Sequence, residues 1–234
     1  MDPRDRIIVA LDTHDQAELL RLAKLLGPYV GHFKIGLEAV HAIGLKEALN
    51  IVAPYGRQRR CVFVDTKLHD IPATMAGAAK AIVRHPCVTF LNVHASAGPT
   101  GMRAVADVKG SAKLLAVTVL TSLDDEECVR IYGENTEDTV RRLADLTEGC
   151  GVDGIICAPT DVEALRKAYP RMELVTPGVR PKGAARNDQK RVMTPGEAFR
   201  RGATRIVVGR PITADGSPVA AAKLIADEIA EALR

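Results

Sequence analysis

The sequence alternates between short apolar runs rich in β-branched residues and longer segments with apolar residues at every third or fourth position. Eight runs are typical of strands: RIIVALD from Arg6, HFKIGL from His32, VFVDTKL from Val62, VTFLNVH from Val88, KLLAVTVLT from Lys113, GIICAP from Gly154, MELVTPGV from Met172 and RIVVGRP from Arg205. Segments between them, such as DQAELLRLAKLL and TVRRLADLTEG, have the period of amphipathic helices. Strands that alternate with helices form right-handed βαβ units around a parallel sheet.

Eight such units predict an α/β protein of the (β/α)8, or TIM barrel, type, and a length of 234 residues fits this architecture. An open, doubly wound sheet would more often have fewer strands and a glycine-rich turn after the first of them. Here the residues that follow Asp12 are THDQ, without glycine. Because no Pro/Gly/Ser-rich linker interrupts the chain, we expect residues 1–234 to form a single catalytic domain.

Composition excludes several classes of protein. The net charge is only +3, with no Trp and 3% aromatic residues, which argues against nucleic-acid binding. No run of roughly 18 apolar residues predicts a membrane span, and the charged start of the chain lacks the apolar core of a signal peptide. The five cysteines form no CxxC pair and are odd in number, so we expect reduced thiols, no zinc site and a cytoplasmic location.

The carboxyl ends of the predicted strands carry polar residues. In a barrel these ends meet at one rim, where the active sites of this fold lie. The residues expected at this rim are Asp12, Lys34, Asp65, Lys67, His94, Thr121, Ser122, Arg180, Gly209 and Arg210.

The stretch CVFVDTKLHDIPATM places Asp65, Lys67 and Asp70 at the end of an apolar run. Side chains alternate along a strand, so Asp65 and Lys67 are expected on one side with Asp70 close by in the following turn. Two purely structural interpretations are possible: Asp70 caps the helix that begins near Ile71, or Asp65 and Lys67 form an ordinary ion pair. In the functional interpretation, a lysine held between carboxylates keeps its proton and delivers it to a developing carbanion.

These motifs, in this order, resemble those of the orotidine 5'-monophosphate decarboxylase family over nearly the whole chain. The matching stretches are ALD at 10–12, FKIG at 33–36, DTKLHDIPATM at 65–75, NVHASAG at 92–98, VLTS at 119–122, TPGVRP at 176–181, DQKRVMTP at 188–195 and VVGRPIT at 207–213. The DxKxxD pattern alone is shared with related barrel enzymes, and the other motifs make the resemblance specific.

The resemblance implies decarboxylation of orotidine monophosphate to uridine monophosphate, the last step of de novo pyrimidine synthesis, without cofactor or metal. Because no cofactor would delocalise the carbanion at C6, the protein would have to stabilise and protonate it. Lys67 would be the proton donor, and Asp65 would hold Lys67 beside the substrate carboxylate. Lys34 would complete the charged array and contact the ribose, and Asp12 would accept a ribose hydroxyl. His94 is interpreted as a packed histidine, not a base.

The resemblance also implies a homodimer with shared active sites, because the family positions that match Asp70, Ile71 and Thr74 reach into the neighbouring subunit's site. The remaining substrate-binding residues would contact the two ends of the nucleotide. At the phosphate they are Gly209, Arg210, Gln189 and Arg180; at the pyrimidine they are Thr121 and Ser122, and Pro177 of the TPGVRP motif joins the set.

Two alternatives remain open. A sister enzyme of the same barrel superfamily, a magnesium-dependent sugar-phosphate decarboxylase or aldolase, would share the DxKxxD motif and the phosphate site. Such enzymes usually carry a further carboxylate two residues before the first Asp of the motif, where this chain has Phe63. The second alternative is a barrel that binds a phosphate ligand without catalysis, for which the lysine between carboxylates has no use.

Overall fold

The computed structural model describes residues 2–181 and 193–234, and within them eight parallel strands close into a barrel. The strands are β1 Ile7–Ala10, β2 His32–Gly36, β3 Val62–Leu68, β4 Val88–His94, β5 Lys113–Val117, β6 Gly154–Ile156, β7 Glu173–Thr176 and β8 Arg205–Val208. Each strand pairs with its successor, and β8 pairs with β1 through Ile206 and Ile7. Each lies inside the run predicted for it, so the (β/α)8 barrel is confirmed.

Helices alternate with the strands and cover the barrel. They are α1 Gln16–Leu26, α2 Leu37–Ile43, α3 Leu45–Val52, α4 Pro72–Val83, α5 Gly98–Ala106, α6 Asp125–Tyr132, α7 Thr136–Asp145, α8 Val162–Ala168, α9 Pro195–Arg200, α10 Arg210–Thr213 and α11 Pro218–Ala232. Short 3-10 helices span Pro3–Arg6, Gly27–Tyr29, Ala53–Tyr55, Ala95–Ala97 and Pro159–Asp161. Across the two described ranges, no helix is both long enough and apolar enough to span a membrane.

Local sequence explains where α1 begins and which face it buries. The Asp15 carboxylate accepts a hydrogen bond from the Ala17 backbone N–H at 2.8 Å, which satisfies a free donor of the first turn. Leu19, Leu22 and Leu26 recur at helical spacing, and all three are buried. The same spacing that predicted this helix therefore also identified its core face.

The strands are apolar throughout because both of their faces are buried. In β1, Ile8 and Ala10 belong to a cluster inside the barrel, whereas Ile7 and Val9 belong to the larger cluster that includes the helices. The inner cluster contains Ile8, Ala10, Phe63, Phe90, Leu115, Val117, Ile156, Val175 and Val207. A filled interior leaves the rims of the barrel as the places where a ligand can bind.

Strand β3 is irregular at its carboxyl end. Val64 pairs with Leu91 and Leu68 pairs with Val93, so the three residues 65–67 lie opposite Asn92 alone. Lys67 within this β-bulge has a φ of +50°, and among the described residues it is the one residue other than glycine with positive φ. Bulges re-aim side chains next to active sites, and this bulge carries two of the predicted catalytic residues.

The opposite, amino-terminal end of the barrel interior contains a buried histidine. The His32 ring lies edge-on to Phe90 at 5.2 Å between centroids, and the Arg205 guanidinium lies over Phe90 at the same distance. Burial, followed by the positive charge of Arg205, lowers the pKa of His32 from 6.5 to about 3. The folded protein therefore holds His32 neutral over most of the acidic range.

This histidine predicts a pH dependence of stability. Between pH 6.5 and about 3, the unfolded chain binds a proton at His32 that the folded chain does not bind. The free energy of unfolding should therefore fall as the pH decreases, by up to about 1.4 kcal/mol per pH unit from this residue. Urea unfolding of wild type and His32→Gln from pH 7 to pH 4 measures it: the variant should show the shallower dependence. Parallel curves would contradict the prediction.

Candidate active site

Four charged side chains form a continuous array of alternating sign at the carboxyl ends of β1, β2 and β3. The Lys34 Nζ donates to Asp12 Oδ1 at 2.8 Å and lies 3.2 Å from Asp65 Oδ2. Lys67 Nζ donates to the other oxygen of Asp65, Oδ1, at 2.7 Å. Asp65 and Lys67 are thus more than an isolated ion pair, since Lys34 connects them to a second carboxylate.

The centre of this array is buried and its ends are open to solvent. The side chains of Lys34 and Asp65 are 10% and 11% exposed, against 31% for Lys67 and 51% for Asp12. Buried charges of this kind are tolerated only when they are paired. The partly open ends leave Lys67 and Asp12 accessible to a ligand.

The two buried charges stabilise each other's ionised forms. Burial by itself raises the pKa of Asp65, but the nearby charges of Lys34 and Lys67 and the hydrogen bonds from Lys67 and Asn92 outweigh it, so the pKa is lowered. Burial likewise lowers the pKa of Lys34, and the carboxylates of Asp65 and Asp12 reverse the effect and raise it. At neutral pH the array therefore contains a carboxylate and an ammonium at its centre.

The glycine of FKIG makes room for the pair between Lys34 and Asp12. A Cβ atom added at Gly36 would lie 2.8 Å from Lys34 Nζ and 3.0 Å from Asp12 Oδ1. Any larger residue would displace one of these groups. The local sequence of β2 is therefore matched to the ion pair as well as to the strand.

A first cavity lies beside the array. Its polar side consists of Lys34, Asp65 and Lys67. The other lining residues are mostly apolar: Phe63, Val117, Val119, Leu120, Thr121, Ile156, Cys157, Pro177 and Val207. An apolar slot with two ammonium groups and a carboxylate on one side suits a flat ring that carries an anionic substituent.

A second cavity continues from the first, with which it shares Lys34, Pro177 and Val207. It is lined further by Asp12, Glu38, Gly209, Arg210 and Arg180, together with Ala10, Gly178 and Thr213. Two arginines make this end cationic, which suits an anionic group such as a phosphate. The two cavities together accommodate a ligand with a ring at one end and an anion at the other.

Arg180 is held by hydrogen bonds to two backbone carbonyl groups. Its backbone N–H donates to Met193 O at 2.9 Å, and its guanidinium donates to Val179 O at the same distance. Burial, followed by the charge of Arg210, lowers the pKa of Arg180. Two cationic side chains that disfavour each other form a site that an anion would stabilise.

The structure does not bring every predicted site residue to the cavities. Thr121 lines the first cavity and Pro177 lines both, whereas Ser122 is exposed and lines neither. Gln189 belongs to residues 182–192 and lies outside the described residues. His94 is half-buried with its ring 5.5 Å from that of His69, and burial, then His69 and Lys67, lowers its pKa.

Asp70 stands apart from the array of its own chain. Its carboxylate accepts from the Ile71 backbone N–H at 2.6 Å, and it forms no ion pair with a residue of the described ranges. The helix cap of α4 is Ile71, without a side-chain cap, so the interpretation of Asp70 as N-cap is wrong. Asp70, Ile71 and Thr74 are all exposed, and Ile71 is 65% exposed.

The sequence analysis assigned no role to Asn92, Glu38 or, apart from Pro177, the apolar lining of the cavities. Asn92 is completely buried and hydrogen-bonds both Asp65 and Lys67. The available signal was an amide inside the apolar run VTFLNVH. Cys157, interpreted as buried strand filler, is buried but also lines the first cavity.

In residues 2–181 and 193–234, the structure contains no group of three or more His, Cys, Asp or Glu side chains arranged to hold a metal ion.

The chain is similar to known proteins along nearly its entire length. The model of the family described as "Orotidine 5'-phosphate decarboxylase / HUMPS family" matches residues 5–225. The orotidine 5'-phosphate decarboxylase of Moorella thermoacetica is 46% identical over 98% of this chain and 94% of that protein. The protein of the same name from Syntrophomonas wolfei is 41% identical over 99% of this chain and 100% of its own length.

The fold has matching solved structures. The crystal structure of orotidine 5'-phosphate decarboxylase from Lactobacillus acidophilus superimposes with a TM-score of 0.80 at 33% identity, and covers 95% of this chain and 98% of that one. The span matched by the family model, residues 5–225, includes all eight strands. The protein therefore belongs to the orotidine 5'-phosphate decarboxylase / HUMPS family.

Proposed function

We propose that the protein decarboxylates orotidine 5'-monophosphate to uridine 5'-monophosphate, the last step of de novo pyrimidine synthesis. The observation that carries this proposal is the array from Asp12 to Lys67 beside an apolar slot that opens into a cationic cavity. The pyrimidine fits the slot, the ribose fits the region of Lys34 and Asp12, and the phosphate fits the cationic end. Named relatives with this activity support the same assignment.

The chemistry follows from the placement of Lys67. The bond between C6 and the carboxylate carbon breaks, carbon dioxide leaves, and the electron pair remains on C6. The Lys67 ammonium then transfers a proton to C6, and solvent returns a proton to the lysine. Fixed charges stabilise the transition state here in place of an electron-delocalising cofactor, and we expect neither cofactor nor metal to be required.

Asp65 has two roles in this mechanism. One oxygen accepts from Lys67 Nζ at 2.7 Å and so holds the ammonium in place. Its negative charge also lies next to the position of the substrate carboxylate, whose loss as carbon dioxide removes the repulsion between the two. Lys34, paired with Asp65 and Asp12, completes the array and contacts the ribose.

The other site residues bind the ends of the nucleotide. Thr121 and Pro177, which line the first cavity, contact the pyrimidine, and Arg180, Gln189, Gly209 and Arg210 contact the phosphate. Space at the phosphate end supports this: a Cβ added at Gly209 would meet only Ala10 Cβ, at 3.6 Å, so the glycine leaves cavity volume for a ligand. Binding at the distant phosphate supplies energy that orders the reacting end.

The functional unit is a homodimer with shared active sites. Exposed Asp70, Ile71 and Thr74 follow the array directly in sequence, and the Asp70 carboxylate has no ion-pair partner among the described residues of its own chain. A second subunit would bury Ile71 and bring Asp70 to the neighbouring Lys67. The protein acts in the cytoplasm on this small nucleotide as one barrel domain, residues 1–234, and five free, buried cysteines suit that reducing compartment.

The magnesium-dependent alternative finds less support. The family description includes it, but the position where its members usually carry a metal-binding carboxylate is Phe63, whose side chain lines the apolar slot. The relatives between 41% and 46% identity are named orotidine 5'-phosphate decarboxylases.

The first prediction concerns substrate, metal and proton donor together. Purified protein in excess EDTA should convert orotidine monophosphate, as measured by the change in ultraviolet absorbance. The kcat of Lys67→Ala should be at least about 1,000-fold lower, because the proton donor is gone. Lys80→Ala, which changes an exposed lysine of α4, is the matched control with unchanged kcat. Activity that appears only with magnesium and a sugar phosphate would assign the protein to the sister enzymes.

The second prediction concerns the phosphate end. Arg210→Ala should reduce kcat/KM for the nucleotide by about 100-fold, because a charge-assisted contact to the phosphate is lost. Gln189→Ala should act in the same direction. Both variants should retain wild-type activity on the phosphate-free nucleoside orotidine, which does not use the contact. An equal loss on both substrates would refute the assignment.

The third prediction concerns the shared site. Lys67→Ala and Asp70→Asn subunits should each form nearly inactive dimers, whereas a purified hybrid with one subunit of each kind has one intact site and about half of the wild-type activity. A hybrid of a Lys67→Ala subunit with an Asp65→Asn subunit is the control and should stay inactive. Lys67 and Asp65 belong to the array of their own chain, so each of the two sites then carries one substitution. An inactive first hybrid, or a monomer by sedimentation, would rule out sharing.

A further inference from the structure

Asn92 uses both ends of its side chain on the two residues that carry the chemistry. Its Nδ2 donates to Asp65 Oδ1 at 2.7 Å, and its Oδ1 accepts from the Lys67 backbone N–H at 2.8 Å. The residue is completely buried in β4, and it pairs in register with Leu115, a member of the cluster inside the barrel. A buried amide with both ends satisfied has a single orientation.

The amide replaces hydrogen bonds that the bulge in β3 removes. Between the pairs Val64 with Leu91 and Leu68 with Val93, residues 65–67 have only Asn92 opposite them. The Lys67 N–H therefore bonds to a side-chain oxygen in this interval. The φ of +50° at Lys67 is unfavourable for a residue with a side chain and persists only where its surroundings hold it.

Asn92 also determines how the Asp65 carboxylate is turned. Oδ1 accepts from both Lys67 Nζ and Asn92 Nδ2, each at 2.7 Å, while Oδ2 faces Lys34 at 3.2 Å. Three donors on two oxygens fix the plane of the carboxylate. Of the three, Asn92 is the neutral one and the one most deeply buried, so it orients without adding charge.

We propose that Asn92 is the positioning residue that aligns Lys67 for proton transfer by holding the Lys67 backbone and the Asp65 carboxylate in one geometry. This inference rests on the proposed decarboxylation. Asn92 lines neither cavity, so it acts through Asp65 and Lys67 and contributes little to substrate binding.

Two variants separate positioning from a merely structural role. Asn92→Leu removes both hydrogen bonds at similar volume and should lower kcat by about 10- to 100-fold, with KM for orotidine monophosphate within about threefold of wild type. Thr139→Val is the matched control, because it removes the hydroxyl of another completely buried polar residue, on α7, without touching the array. Thr139→Val should leave kcat unchanged even if its Tm falls as far as that of Asn92→Leu.

Asn92→Asp provides a second measurement, the pH dependence of kcat, which would not change if Asn92 were only structural. The new carboxyl is isosteric with the amide: when protonated it donates to Asp65 and accepts from the Lys67 N–H, and when ionised it repels Asp65. Its kcat, relative to wild type, should be about 100-fold lower at pH 8, where the new carboxyl is ionised, and recover by about tenfold towards pH 5.5, because burial beside a carboxylate raises its pKa and favours the protonated form as the pH falls. At saturating substrate, the effect that titration of the substrate phosphate has on binding does not enter the measured kcat.

The outcomes distinguish the inference from the function on which it rests. Wild type without turnover of orotidine monophosphate would refute the proposed function. Active wild type with unchanged kcat per folded molecule in both Asn92 variants would refute only the positioning role, as would a loss that resides in KM. If Asn92→Leu does not fold, the pH-dependent recovery of Asn92→Asp, with the folded fraction measured by circular dichroism at each pH, decides.

Discussion

The ion pairs of Lys34 with Asp12 and Asp65 are the interaction on which the site depends. A lysine and an aspartate that are each about 10% exposed can remain ionised only because each satisfies the other. This requirement accounts for the glycine at position 36, where a side chain would collide with the pair. It also accounts for Asn92, which completes the hydrogen bonds of the buried carboxylate. Several features of β2, β3 and β4 thus serve one charged cluster.

The barrel makes this cluster useful because of what lies beside it. Apolar residues of β3, β5, β6 and β8 line a slot beside it, and charges in apolar surroundings act more strongly than in solvent. The cationic cavity at the far end offers binding energy remote from the reaction. Positioned charges and a distant anchor are what a decarboxylation without an electron sink requires.

The fold and most of the rim were accessible from sequence because burial on both faces leaves a continuous apolar signal in each strand. The predicted strands were too long where apolar residues continue past the hydrogen-bonded part: Val119 follows β5 but lines the cavity. Alternation brought Asp65 and Lys67 to the same side, yet the strand is not regular there, since Lys67 lies in a bulge. A pattern of period two contains no information about a bulge or about the amide that supports it.

The sequence by itself determined the barrel, its order of strands and the identity of the charged residues at the rim, because these depend on periodicity and on local motifs. Only the tertiary structure decided that Lys34 joins two carboxylates, that Asn92 holds both Asp65 and Lys67, and that Asp70 is exposed and forms no ion pair with the described residues of its own chain. The reason is physical: these relations join side chains from different strands, and their distances are set by the closure of the barrel and the register of its strands.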